Sequence, residues 1–222
     1  ASYVERTGIG SAIAVSPGMP VPTGTEAATI RVDPAGTVTA VFGIASHGQG
    51  LETTLAQVVA DELGVPLETV RVLHGDTALS PYGTGTYASR STVLAGGAGI
   101  LAGRDVREKT LRIAAHLLEA HPADLVVQDG RVAVRGLPDR YVTVRDVAKA
   151  AYGGVRHLPR GMEPGLEATR FYDPYYGTAS NATHMAVVEV DRETFHVRIL
   201  RYLVAEDCGR IINPLVVDGQ VH

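Results

Sequence analysis

Only one cysteine, Cys208, stands among the 222 residues, so an internal disulfide is excluded, and so is an iron–sulfur cluster held by cysteines of this chain. Mean hydropathy is close to zero and no long apolar run occurs, which leaves neither a membrane span nor a signal-peptide pattern. The formal charge is -4 with lysine and arginine scattered, so there is no basic stripe for nucleic acid. No Gly-Lys-Ser/Thr phosphate loop and no Gly-x-Gly-x-x-Gly fingerprint is present, nor a flavin motif. His116 and His121 lack the further ligands that a zinc site needs. The chain opens Ala1-Ser2-Tyr3-Val4 without an initiator methionine and stops just after Gln220, which suggests processing or a boundary inside an element. A single cysteine fits a reducing, cytoplasmic setting.

What is abundant is glycine next to polar side chains. His47-Gly48-Gln49-Gly50 runs directly into Leu51, Leu55, Val58, Val59 and Leu63, whose spacing predicts an amphipathic helix starting at about Gly50. Unpaired N–H groups of the first turn then face a glycine turn, and the Gln49 amide offers both a donor and an acceptor. The pattern grips something that carries its own chemistry, or is only a tight strand-to-helix turn. A second block, Gly75-Asp76-Thr77 with Gly83-Thr84-Gly85-Thr86-Tyr87-Ala88-Ser89-Arg90-Ser91-Thr92, collects hydroxyls, backbone N–H groups and a guanidinium, the usual partners of phosphate oxygens. A third reads Glu206-Asp207-Cys208-Gly209-Arg210, then Asn213-Pro214 and Gly219-Gln220.

Between the blocks, alternation predicts strands over 8–16, 27–32 and 38–44, the last two joined at Asp33-Pro34-Ala35-Gly36. Another strand is expected around Val70–Leu73, a long helix over 97–120, and a hairpin of 126–128 with 132–134 through Asp129-Gly130. Thr143 reads as the N-cap of a short helix to Ala151. Residues 153–181 read as a long loop with a short strand at 168–172, and strands at 183–190 and 195–204 follow. Together these predict one α+β domain over 1–222, with mixed or antiparallel sheets packed with helices. The glycine-rich half covers 8–122. The second half, 123–222, holds the hairpin, helix, loop and final strands. Tyr172, Tyr175 and Tyr176 either line a substrate funnel or pack the loop, the second reading being the stronger.

The order and spacing of Gly48-Gln49-Gly50 with Thr53-Thr54 and Gln57, Asp61-Glu62-Leu63-Gly64, Gly75-Asp76-Thr77, Gly85-Thr86-Tyr87-Ala88-Ser89-Arg90-Ser91-Thr92 and Asp207-Cys208-Gly209 with Asn213-Pro214 and Gly219-Gln220 resemble the molybdenum-binding large subunit of the xanthine dehydrogenase, aldehyde oxidase and aerobic carbon monoxide dehydrogenase family. The resemblance runs from about residue 8 to the end. It implies a molybdopterin cofactor, in its cytosine dinucleotide form, with molybdenum held by the pterin's own dithiolene sulfurs. Gln49 would hydrogen-bond an oxo ligand between Gly48 and Gly50, with Thr54 and Gln57 beside the turn. Thr86, Tyr87, Ala88, Ser89 and Ser91 would line the pterin and phosphates, and Asp207, Cys208, Asn213 and Gln220 the dinucleotide or pterin.

The implied reaction is hydroxylation of an aldehyde or N-heterocycle with water-derived oxygen, electrons leaving through iron–sulfur and flavin (FAD) groups on partner chains. The family's catalytic glutamate lies in a Gly-Val-Gly-Glu-like segment that this sequence does not contain, so the 222 residues alone are expected to be inactive. Two readings stay open: a cofactor-holding part of a hydroxylase that works with the remaining molybdenum-subunit segments, or a family remnant or interaction module without cofactor. Substrate is not legible, and exposed docking faces predict self-association into a homo-oligomer.

Overall fold

A computed structural model describes residues 1–8, 24–175 and 177–222. The expected strand over 8–16 and the side chain of Tyr176 lie outside the described residues. The chain is α+β, with three sheets and four α-helices among the described residues.

The central sheet has the order β4-β3-β2-β8, from β2 (Glu26–Val32), β3 (Val38–Phe42), β4 (Val70–Leu73) and β8 (Glu167–Tyr172). β2 and β3 form the antiparallel hairpin expected at Asp33–Gly36, and Asp33 Oδ1 closes the turn by accepting from the N–H groups of Ala35 and Thr37. Alternation decides the faces. Ala28, Ile30 and Val32 of β2 and Val38, Ala40 and Phe42 of β3 point into the core, while Thr29 and Arg31 point away.

Helices α1 (Leu51–Leu63) and α2 (Ser91–Leu117) cover the inward face. Leu51, Leu55, Val59 and Leu63 are buried as the periodicity predicts. Helix α2 starts six residues before the expected position. Gly96 and Gly97 are poor helix formers and mask the start in sequence. The packing favours small residues along α2: a Cβ at Gly99 would lie 3.2 Å from the Phe42 ring, and one at Gly103 would lie 2.9 Å from the Glu62 side chain. Local propensity is therefore given up for close approach of α2 to β3 and α1.

The second sheet is β5 (Leu125–Gln128), β6 (Arg131–Val134) and β7 (Leu137–Thr143). The hairpin through Asp129-Gly130 is as expected. Strand β7 is an addition, concealed by Pro138, Asp139 and Arg140 in its first half. It feeds helix α3 (Val144–Tyr152), whose start is a full capping box. The Thr143 hydroxyl accepts from Asp146 N–H at 3.1 Å, and the Asp146 carboxylate accepts from Thr143 N–H at 3.1 Å and from its hydroxyl at 2.6 Å. The Thr143 hydroxyl, and next its backbone N–H, hold the Asp146 carboxyl below the ordinary carboxylate range. A lowered folded-state pKa adds stability that is present above the unfolded value and is lost as pH falls through the folded one. Replacing Thr143 with alanine should cost about 1 kcal/mol, read as a lower denaturant midpoint at neutral pH. The same variant should flatten the loss of stability on acidification below about pH 4, where the carboxyl titrates. An unchanged midpoint would show that the cap contributes nothing.

The third sheet is β1-β9-β10, from β1 (Ser2–Thr7), β9 (Thr178–Val190) and β10 (Val197–Asp207). β9 begins five residues earlier than expected, because β1 pairs with exactly that stretch, Thr7 opposite Thr178 and Ser2 opposite Thr183. Beyond Thr183, β9 pairs with β10 alone. Directly opposed residues share a face, so Ala186 and Tyr202, Val188 and Ile199, and Val190 and Val197 form one apolar face. The opposite face carries the Arg198–Glu189 ion pair. On the apolar face Val188, Val190, Val197, Ile199 and Tyr202 are 45–61% exposed. Apolar side chains contiguous on one face of a ribbon drive association. The 222-residue chain purified alone should self-associate and bind a hydrophobic dye, and Ile199→Lys should shift it toward monomer in light scattering. A dye-silent wild-type monomer would show the face to be innocuous.

Candidate functional site

The three glycine-rich blocks, far apart in sequence, converge on a single cleft of about 870 Å³. Its first edge is the turn before α1. Gly50 occupies the N-cap at φ 74, a left-handed conformation that carries little strain only for glycine. Gln49 folds back over this turn: its Oε1 accepts from His47 N–H at 2.6 Å and from the Ser46 hydroxyl at 3.4 Å. The amide oxygen is thus used by the protein, and the NH₂ is the end left to donate to an acceptor in the cleft that Gln49 lines.

On the outer side of α1, His74 Nε2 and Glu52 Oε1 meet at 2.9 Å. The Glu52 carboxyl sits below the ordinary range, held there first by a backbone N–H of its own helix start and then by His74.

The second edge is the loop 83–91 leading into α2. Thr86 staples it to the segment after β3: its hydroxyl donates to Ala45 O at 2.6 Å and accepts from Ala45 N–H at 3.3 Å and the Ser91 hydroxyl at 3.0 Å. One donor and two acceptor positions are then all used. Thr54 likewise donates to Gly50 O at 3.0 Å, within its own helix. Ala88 and Ser89 are both left-handed, at φ 49 and 52, so two successive non-glycine residues adopt a conformation they normally avoid. The Ser89 hydroxyl donates to Glu5 of β1.

Arg90, whose guanidinium the sequence offered to phosphate, is instead 3% exposed and paired with Glu26, which is 0% exposed. Its charge is matched by a buried carboxylate inside the protein, although the residue also borders the cleft.

The third edge is the C-terminal block. Asn213 caps helix α4 (Pro214–Val221) by accepting from Val216 N–H at 3.2 Å, and its Nδ2 donates to Gln57 Oε1 at 2.9 Å. One side chain thereby ties the third block to α1. Val216 packs on Gly50, where a Cβ would lie 2.9 Å from its Cγ2.

Of the residues singled out in sequence, Gln49, Thr54, Thr86, Tyr87, Ser89, Ser91, Asp207, Cys208, Asn213 and Gln220 line the cleft; Gly48, Gly50, Gln57 and Ala88 do not, though Gly50 packs on Val216 and Gln57 accepts from Asn213. The far wall was not anticipated. β1 and β9 supply Tyr3, Glu5, Thr178 and His184, with Tyr3 stacked on His184 at 5.8 Å and His184 Nδ1 3.1 Å from the Tyr202 hydroxyl. No local signal could have shown these residues, since β1 and β9 meet only across the whole chain. The tyrosine alternatives resolve for one residue: Tyr172 packs beneath α2 against Gly97, while Tyr175 is exposed.

The N-terminal turns of α1, α2 and α4 all contribute to the lining, through Leu51 and Thr54, Ser91 and Thr92, and Asn213 and Val216. Helix starts bring positive potential to this side of the cleft, facing the Glu5, Glu206 and Asp207 carboxylates and Arg210 that line the rest of it. Gly209, which lines the cleft, has positive φ and nothing within 4 Å of where a Cβ would stand, so backbone and ligand approach there without obstruction.

A sequence profile for the molybdopterin cofactor-binding domain matches residues 1–222. The chain belongs to that family. This molybdopterin cofactor-binding domain is 42% identical over 197 residues to the carbon monoxide dehydrogenase large chain of Hydrogenophaga pseudoflava, covering 89% of the chain and 24% of that relative. It is also 42% identical over 196 residues to the nicotine 6-hydroxylase large subunit of Paenarthrobacter nicotinovorans, covering 88% of the chain and 24% of that protein. The crystal structure of quinoline 2-oxidoreductase from Pseudomonas putida 86 superposes with a TM-score of 0.91 at 42% identity, over 99% of the chain and 28% of that structure. The domain thus spans about a quarter of the length of the relatives it matches. It is a molybdopterin-binding domain of the carbon monoxide dehydrogenase and xanthine dehydrogenase type, and the family binds molybdopterin with molybdenum.

Proposed function

We propose that the cleft holds molybdopterin as its cytosine dinucleotide, within the large subunit of a molybdenum hydroxylase that oxidises an aldehyde or an N-heterocycle with water-derived oxygen. The single observation that carries this reading is the convergence of Gln49, the 84–91 loop and the Asp207–Asn213 segment on one cleft lined by helix starts. Its volume lies within the range of small-molecule and cofactor sites, and the open backbone at Gly209 suits a bulky ligand. When bound, the cofactor supplies oxygen-transfer and two-electron redox chemistry.

The chain's own groups bind and orient. Gln49 would donate its NH₂ to an oxygen on the cofactor, and the backbone around Tyr87, Ala88, Ser89 and Ser91 would hold the pterin and phosphates, the three hydroxyls there donating to Thr84, Glu5 and Thr86 instead. Asp207, Cys208 and Gln220 line the other side, and Asn213 with Gln57 fixes where that side stands relative to α1. Iron–sulfur and flavin groups belong to partner subunits in this reading, and the assembly is cytoplasmic. The relatives support it: the similar carbon monoxide dehydrogenase protein is a large chain and the nicotine 6-hydroxylase protein a large subunit.

The test is metal analysis with fluorescent detection of released pterin, on the protein co-expressed with its neighbouring-locus subunits in a host that makes the cofactor. Molybdenum and pterin near one equivalent, with CMP released on acid hydrolysis, is the expected result. Persistent absence of both, in every combination of subunits, would instead leave a family remnant acting as an interaction module.

A further inference from the structure

The loop 83–91 adopts a conformation that its own sequence resists. Ala88 and Ser89 are successive left-handed residues without being glycine, and such backbone persists only where the surroundings over-determine it. Thr86 is tied to Ala45 and Ser91, and Ser89 to Glu5 and to the Gly8 N–H, and beneath these one buried carboxylate closes the base of the loop. Glu26, at the start of β2, is fully buried, and its Oε1 gathers both ends of the loop: Thr84 N–H at 3.0 Å, the Thr84 hydroxyl at 3.3 Å, and the Arg90 guanidinium. Arg90 also donates to Gly85 O at 2.7 Å, and the Tyr87 ring covers the guanidinium at 4.9 Å while its hydroxyl donates to Thr84 Oγ1 at 3.1 Å. Residues 84 and 90 are thereby pinched onto one atom, and the four residues bracketed between Gly85 and Arg90 are forced outward as a tight bend.

Neither Glu26 nor the buried part of Arg90 is needed for the core. Ala27 and Ala28, which follow Glu26 in the strand, are apolar and buried on their own account, and an ion pair is an expensive way to fill space. The Glu26 Oε2 atom, moreover, finds no hydrogen-bond partner among the described residues. What the pair does provide is geometry, since it joins β2 to both ends of the loop.

We infer that Glu26 and Arg90 are positioning residues that hold the 84–91 bend in its cofactor-receiving shape, so that the bend is preformed before the cofactor arrives. This rests on the proposed function for what the bend receives, but not for the existence of the latch.

The test uses hydrogen exchange on the co-expressed protein, with and without cofactor, comparing wild type with Arg90→Lys and Glu26→Gln. Arg90→Lys keeps the charge but cannot span Glu26 and Gly85 together, so it serves even if Glu26→Gln fails to fold. Exchange of the 84–91 amides in the cofactor-free protein should rise at least tenfold in Arg90→Lys. Amides in β2 and in 100–113 of α2 should keep their wild-type rates, and pterin retained through gel filtration should fall severalfold. Unchanged exchange at 84–91 would overturn the latch, as would an equal rise across the whole domain, which marks a merely structural pair. Full pterin retention in a variant with a loosened bend would overturn its role in receiving cofactor. A wild type that never carries pterin would sink the proposed function instead, while the cofactor-free exchange comparison would still report on the latch.

Discussion

Replacing Gln49 with alanine should strip the cofactor from the purified protein while leaving the fold intact. The side chain does two jobs in opposite directions. Its Oε1 accepts from His47 N–H at 2.6 Å and from the Ser46 hydroxyl, which shapes the turn, and its NH₂ is the donor presented to the cleft. Alanine removes both at once. The lost donor, to an acceptor carrying charge, is worth about 1.5–3 kcal/mol, which is roughly a tenfold to hundredfold loss of affinity. The turn loses further order because two donors must turn to water. Stability should fall little, since Gln49 is only half-buried and the core beneath it begins at Leu51. The measurement is molybdenum and pterin per protein after gel filtration, alongside the thermal midpoint. Wild-type cofactor content in Gln49→Ala would remove Gln49 from the site. Gln49→Glu should be at least as damaging, because it retains the acceptor that the turn uses and replaces the outward donor with a negative charge.

How much of this was legible in sequence follows the range of the forces involved. Helix α1 was readable because its apolar stripe and the glycines before it lie within fifteen residues, and the hairpin at Asp33–Gly36 because a turn is written in its own four residues. The start of α2 was not. Its first turns hold Gly96 and Gly97, and what makes them helical is contact with Tyr172 and the sheet, which lie far away in sequence. The cleft was half legible for the same reason. Gln49, Tyr87, Ser89 and Asn213 stand in compact polar blocks, whereas the wall of Tyr3, Glu5 and His184 exists only because β1 pairs with β9 more than 170 residues later. Arg90 shows the sharper difficulty. A guanidinium among hydroxyls looks like a phosphate ligand, and nothing within sixty residues of it announces the buried glutamate that claims it.

Gly83→Ala should be the most destabilising single methyl that can be added near the site. At Gly83 a Cβ would stand 2.7 Å from the Gly43 carbonyl carbon, and nearer still to that carbonyl oxygen and to Glu26 Oε2. None of these is the loose end of a flexible side chain. Gly43 follows β3 directly after the fully buried Phe42, and the Glu26 carboxylate is fixed by Thr84 and Arg90. The added methyl therefore has to move backbone out of register or part a buried ion pair. Overpacking alone costs about 1–3 kcal/mol, and disturbing a buried pair adds to it, so a loss of about 3 kcal/mol or more is expected. For a chain of this size that lowers the thermal midpoint by roughly 6–12 °C.

Two controls separate this cause from a general cost of adding alanine. At Gly97 the added Cβ would also collide, 2.7 Å from Tyr172 Cγ, but a ring can swing where a backbone cannot, so Gly97→Ala should be milder. At Gly136 there is nothing within 4 Å and only the strain of φ +80, so about 1 kcal/mol is expected. The ordering 83 worst, 97 intermediate, 136 least is the prediction, read as thermal midpoints of the three variants. If Gly83→Ala were no worse than Gly136→Ala, the close approach of the 83–91 loop to β3 would be wrong, and with it the buried pinch that gives the cleft its second edge.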